Sequence, residues 1–183
     1  MQEAVELLVK QAQKGDSTAL EELLLAYEKR VYNTAFRYMG NEADAYDMAQ
    51  EALIKIYKRI KAFKGDSSFS SWVYRITVNT CLDGLRKNRK NVVSLEASIE
   101  SGASYKDESN DTPEEMTLRI ELQQDIQNAI NTLSPDHKSV VILRDINGLS
   151  YEEVATCLSV SVGTVKSRIS RARMRLKEIL INY

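Results

Sequence analysis

Histidine and cysteine are scarce in this chain, and their scarcity excludes most chemistry. One histidine, His137, and two distant cysteines, Cys81 and Cys157, stand among 183 residues with no Cys-x-x-Cys pair. Neither a zinc site nor a disulfide framework has enough ligands. No Gly-rich phosphate loop is present and the carboxylates are scattered, so the expectation is no catalytic site, no metal, no cofactor and no small-molecule substrate. The cysteines read as small buried hydrophobes in a reduced cytoplasm, and His137 as a solvated helix residue. Apolar runs fall far short of the roughly 18 residues a membrane span needs. Between Met1 and Gly15, Glu3, Glu6 and Lys10 interrupt any signal-peptide core and suggest an amphipathic helix instead. Strand signals are missing throughout.

An excess of either charge is missing too. Twenty-five Lys and Arg balance 26 Asp and Glu, for a net charge of −1, which argues against strong DNA binding by the chain alone, since nonspecific affinity comes from neutralised phosphates. The distribution is more informative. Lys55, Lys58, Arg59, Lys61 and Lys64 follow one another with no acid between them, and Arg75, Arg86, Lys87, Arg89 and Lys90 face only Asp83. Between Ile99 and Asp125 the sign reverses, with Glu100, Asp107, Glu108, Asp111, Glu114, Glu115, Glu121 and Asp125 against Lys106 and Arg119. Lys166, Arg168, Arg171, Arg173, Arg175 and Lys177 make the end basic again. Two basic modules flank an acidic middle.

Leu20, Leu24, Tyr27, Val31, Ala35 and Tyr38 recur at helical spacing, as do Ala45, Ala49, Ala52, Ile56 and Ile60, with Gly40-Asn41 as punctuation. After Gly65-Asp66-Ser67-Ser68, a third stripe runs through Trp72, Ile76, Asn79 and Asp83 to about Lys87. From Asn88 to Asp111 periodicity fails among serines and charges, a composition that reads as a linker. Helix-start signals follow at Thr112-Pro113-Glu114-Glu115, Ser134-Pro135 and Ser150-Tyr151-Glu152-Glu153. The fold class expected is all-α, with two small helical domains, 1–90 and 112–183, joined by a flexible acidic linker, 91–111.

Two stretches carry recognition chemistry. In the second domain, Val154, Ala155 and Leu158 face inward on a short helix and Ser159 to Gly163 make a tight connection, which is helix-turn-helix spacing. On the next helix Val165, Ile169, Ala172, Leu176 and Leu180 form the apolar stripe, and Lys166, Ser167, Ser170, Arg171 and Arg173 project away from it. Such a face is either a solvated basic surface or one that enters the DNA major groove. In the first domain, the helix from Asp44 to Ile60 has a second stripe, Tyr46, Leu53 and Tyr57, bordered by Asp47, Gln50 and Glu51. A helix apolar on two sides lies deep in one core or serves a core and an interface.

Asp47-Met48-Ala49-Gln50-Glu51-Ala52-Leu53 resembles region two of the sigma-70 family of bacterial RNA polymerase sigma factors. Leu133-Ser134-Pro135, the run Asp145 to Ala155 and the run Gly163 to Arg173 resemble its region four. The segments Phe63 to Trp72 and Tyr74 to Asn79 resemble the minus-ten recognition segment of the extracytoplasmic-function (ECF) subgroup, which has only regions two and four. Ser159 stands where many members have glycine. The resemblance implies docking on the beta-prime clamp helices of core polymerase through Tyr46, Asp47, Gln50, Glu51, Leu53 and Tyr57, with the beta flap as a further partner surface. It implies minus-ten DNA contacts by Phe69, Arg75, Asn79, Arg86 and Lys87, with Arg89 and Lys90 along the strand. It implies minus-thirty-five contacts by Lys166, Ser167, Ser170 and Arg171, with Arg168 and Arg173 nearer phosphates. Phe69 can equally be a core aromatic, and Trp72 reads as core. Also implied are an anti-sigma factor, often membrane-bound, and a cytoplasmic protein that associates with the nucleoid in the holoenzyme. The alternative is a conventional helix-turn-helix regulator that binds operators without polymerase.

Overall fold

The computed structural model describes residues 2–91 and 113–181, and the expected linker, Thr112 and the side chains of Arg89 and Lys90 lie outside the described residues. Regular structure among the described residues is all helix. The helices are α1 (Gln2–Gln13), α2 (Ser17–Met39), α3 (Glu42–Arg59), α4 (Phe69–Asn91), α5 (Pro113–Asn131), α6 (Pro135–Val141), α7 (Tyr151–Leu158) and α8 (Val162–Ile181). Short helical turns follow α3 at Ile60–Ala62 and α6 at Ile142–Ile146.

Side chains written into the sequence start each helix. Asp16 accepts from the amides of Thr18 and Ala19 to cap α2, and Asn41 accepts from the Asp44 amide to cap α3. Ser68 Oγ accepts from the Ser71 amide at the start of α4. Ser134 precedes Pro135 on α6, and Ser150 with Glu153 closes a reciprocal capping box on α7. Helix α2 ends at Gly40, whose φ of 81° is left-handed and whose amide donates to the Phe36 carbonyl.

Helices α1 to α4 pack round Leu23, Val31, Ala35, Ala52, Ile56, Val73 and Val78, all buried. Helix α4 crosses α3 closely at Gly84, where an added Cβ would lie 2.5 Å from Met48 Sδ. Helices α5 to α8 pack round Ile130, Val140, Leu143, Val154, Val165 and Ile169. The apolar cluster is continuous between these halves. Both cysteines are buried, and burial pushes each thiol up to about 12. On α8 the buried stripe is shorter than its periodicity suggests: Val165, Ile169 and Ala172 are buried, Leu176 is half-buried and Leu180 is exposed. The helix runs past the body that covers its first three turns.

Ser159 ends α7 in the left-handed region, at φ 56° and ψ 44°. The turn therefore keeps the backbone that glycine would favour, with a side chain in its place. A non-glycine residue there costs about 1–2 kcal/mol, offset in part by the larger unfolded-state entropy of glycine. Ser159→Gly is expected to stabilise the chain by about 0.5–1 kcal/mol, read as a rise in the urea midpoint with an unchanged m-value.

A candidate nucleic-acid and protein interface

On α3, Ala45, Ala49, Ala52 and Ile56 are buried, while Tyr46 and Tyr57 are 59% and 58% exposed. Leu53 and Gln50 are partly exposed between them, Asp47 and Glu51 flank the stripe, and Ile54, half exposed, extends it. Tyr46, Gln50, Leu53 and Tyr57 follow at steps of four, three and four, so they share one outward face. Ile54, four residues after Gln50 and three before Tyr57, lies on the outer edge of this face, and the stripe read from the sequence did not include it. An aromatic-centred patch with a polar rim has the composition of an interface.

The strand-facing candidates lie on α4. Arg75, Asn79, Arg86 and Lys87 are all exposed, and Arg86 forms a 3.0 Å pair with Asp83. The loop before α4 is held from beneath. Gln13 Nε2 donates to the carbonyls of Ile60 and Phe63 at 3.1 and 2.7 Å, and the Tyr27 and Ser70 hydroxyls share a 2.8 Å bond. Phe69, which the sequence left open between a contact with the minus-ten strand and a core aromatic, is buried at 7% exposure. It packs edge-on against Tyr27 and Phe63 and stacks on Trp72, because an unpaired ring gains most from a shared aromatic core. Its ring supports the loop and does not face solvent.

On α8, Lys166, Ser167, Ser170 and Arg171 project into solvent. Arg168 and Arg173 are engaged. Arg168 Nη2 donates to Asp136 at 2.6 Å, and Arg173 holds Asp145 with two bonds, at 3.1 and 2.5 Å. Neither pairing is legible in the sequence, since the partners stand 32 and 28 residues away. Tyr151 was missed as well: the Arg144 guanidinium and the Lys166 ammonium lie 4.8 and 5.7 Å from its ring centroid. The ring face attracts both cations, Arg144 from the turn after α6 and Lys166 from the first turns of α8.

A polar seam joins the two halves. Glu153 Oε1 accepts from the Ser71 and Ser68 hydroxyls at 2.6 and 2.9 Å, while Oε2 accepts from the Ser150 amide at 2.9 Å. Lys138, buried, donates to the Tyr38 carbonyl at the end of α2 and to Asn131 Oδ1, and burial lowers its ammonium to about 8. Burial pushes the Glu153 carboxyl up, but the bonds from Ser71, Ser150 and Ser68 together hold it below the usual carboxylate range. A depressed carboxylate pKa stabilises the fold above the ordinary carboxylate range, and that increment is lost as pH falls through the depressed value. Glu153→Gln, which still caps α7, is expected to remove this increment, so its loss of stability relative to the parent is larger at pH 7 than at pH 3 in parallel urea titrations.

Comparison with known proteins brings these surfaces together. The family described as Sigma-70 region 2 matches residues 23–91, and the one described as Sigma-70, region 4 matches residues 123–176. The ECF RNA polymerase sigma-E factor of Escherichia coli (strain K12) is 41% identical over 174 residues, covering 92% of this chain and 90% of that protein. The RNA polymerase sigma-H factor of Pseudomonas aeruginosa is 34% identical, covering 98% and 95%. Among solved structures, the sigma factor RpoE in complex with the anti-sigma factor NepR from Bartonella quintana superposes with a TM-score of 0.71 at 30% identity, covering 87% of this chain and 95% of that one. CnrH, in complex with the cytosolic domain of CnrY, shares the fold at a TM-score of 0.73 and 24% identity, covering 98% of each chain.

Proposed function

The chain belongs to the ECF subgroup of the sigma-70 family of RNA polymerase sigma factors, and from that premise we propose how its surfaces divide the work of directing core polymerase to promoters. Residues 1–90 form the docking and minus-ten module and residues 112–183 the minus-thirty-five module, with 91–111 as the tether. Helix α3 docks on core polymerase, at the clamp helices of the beta-prime subunit, through Tyr46, Asp47, Gln50, Glu51, Leu53 and Tyr57. The exposure of two tyrosines on a helix whose other face is fully packed is the observation that carries this assignment. Helix α4 presents Arg75, Asn79, Arg86 and Lys87 to the melted minus-ten strand, with Phe69 supporting the loop above. Unpairing costs a few kcal/mol per base, and docking energy combined with capture of the exposed bases offsets it. Lys166, Ser167, Ser170 and Arg171 read the minus-thirty-five duplex, with Arg168 and Arg173, each paired with an aspartate in the free factor, nearer phosphates. The factor supplies no catalysis of its own.

The packed arrangement has a geometric consequence. Glu153 of α7 touches the loop before α4, α8 follows α7 across a short turn, and a helix of 20 residues is only about 30 Å long. The two promoter elements are taken to lie about two helical turns of DNA apart, about 70 Å, so the halves separate before one chain reads both elements. An anti-sigma factor, like that in the RpoE complex, restrains the chain in the cytoplasm. Transcription reconstituted with purified core polymerase tests the proposal, with promoter-specific initiation only when the factor is present as the expected result. Tight, sequence-specific binding to duplex DNA without polymerase would instead favour a conventional regulator.

A further inference from the structure

One basic side chain belongs to neither working face and ties the rim of one to the buried flank of the helix that carries the other. The Lys55 ammonium on α3 lies 2.7 Å from Glu51 Oε1, one turn back on the rim of the docking patch, and donates to Thr80 Oγ1 of α4 at 3.1 Å. Thr80 is buried against α3 and adjoins Asn79, one of the residues proposed to face the melted strand. The Lys55 side chain is 30% exposed and that of Glu51 44%, so the bridge sits at the mouth of the seam between the helices. The hydrogen bond from Lys55 holds the Glu51 carboxyl below its usual range against the opposing effect of burial, and Lys87, on the DNA side of α4, adds to it.

Resting on the assignment of α3 to docking and α4 to the strand, we infer that Lys55 is a positioning residue that fixes the strand-facing side of α4 in register with the docking side of α3. The close crossing of Gly84 on Met48 resists compression, but a thioether contact is soft and has no preferred direction. A charge-assisted hydrogen bond is directional and stronger than a neutral one. A binding constellation needs its groups held within about 0.5 Å, and docking energy reaches the captured strand only if the two helices do not slide. A lysine on a basic stretch is ordinarily a solvated cation. Here its ammonium is committed to two partners on two helices, which a solvated cation has no reason to be.

Holoenzymes carrying the parent factor, Lys55→Met, Lys55→Arg and Thr80→Val, assayed on a promoter recovered from the parent holoenzyme's own transcripts, test this. Assembly affinity and the lifetime of heparin-challenged open complexes are measured over a range of salt concentrations. Lys55→Met is expected to shorten the lifetime about tenfold, with assembly affinity within about threefold of the parent, for the loss of one charge-assisted bond. Thr80→Val moves it the same way and Lys55→Arg restores most of it. The salt slope stays unchanged. Unchanged lifetimes in both Lys55→Met and Thr80→Val, or no rescue by arginine, overturn the inference. So does a salt slope smaller by about one, which marks a direct phosphate contact. Thr80→Val keeps the Lys55 to Glu51 pair and gives the answer by itself if Lys55→Met is poorly folded. A parent factor that directs no promoter-specific transcript sinks the functional assignment, and this inference with it; a working parent with indifferent variants sinks this inference alone.

Discussion

Replacing Tyr46 and Tyr57 together by alanine is expected to weaken binding to core polymerase by about a thousandfold and to leave the stability of the free factor nearly unchanged. Both rings are more than half exposed, so truncation removes little surface that folding buries. At an interface, aromatic anchors cost about 2 kcal/mol or more each when truncated, and about 4 kcal/mol is close to a factor of a thousand. The contrast on the same helix is Ile56, at 2% exposure. Ile56→Ala is expected to lose about 2–5 kcal/mol of stability, and to affect assembly only through the folded fraction. Fluorescence titration with core polymerase and thermal unfolding of the free factor separate the two patterns. Full assembly by the double tyrosine variant removes the docking assignment.

Arg171→Ala should weaken promoter recognition by about 1–3 kcal/mol, concentrated at one base pair of the minus-thirty-five element. Arg171 is exposed on α8, whereas Arg168 and Arg173 are held by Asp136 and Asp145. An arginine that reads a guanine with two bonds loses discrimination at that position when removed. One that neutralises a phosphate loses affinity across all sequences and lowers the salt slope by about one. Binding of variant holoenzymes to a panel of single-substitution promoters at several salt concentrations distinguishes the outcomes. Equal loss across the panel assigns Arg171 to the backbone.

The legible parts of the site are those with local signals. Tyr46, Leu53 and Tyr57 stand out because they repeat at helical spacing beside a second apolar stripe, and Ser150 with Glu153 because a capping box has a fixed three-residue offset. Leu180 misleads for the same reason: periodicity gives the face of a helix but not how far along it the body extends. Phe69 could not be assigned from its neighbours, because one ring beside a serine-rich loop suits a core or a base pocket equally. Its place was decided by Tyr27, 42 positions earlier in the chain, and by Phe63 and Trp72 closing round it.

The helices, their caps, the helix-turn-helix and the two-sided α3 were determined by the amino-acid order alone, since hydrogen bonds within a helix and side chains on one face lie within a few residues of each other. Tertiary structure alone decided that Glu153, a helix-capping carboxylate, also takes the Ser68 and Ser71 hydroxyls. It alone decided that Lys138 is buried on the end of α2 and that Lys55 ties α3 to α4. Serine, glutamate and lysine are ordinary on a solvated surface. What makes them a seam is the relative placement of whole helices, which depends on distant apolar packing and leaves no periodic trace.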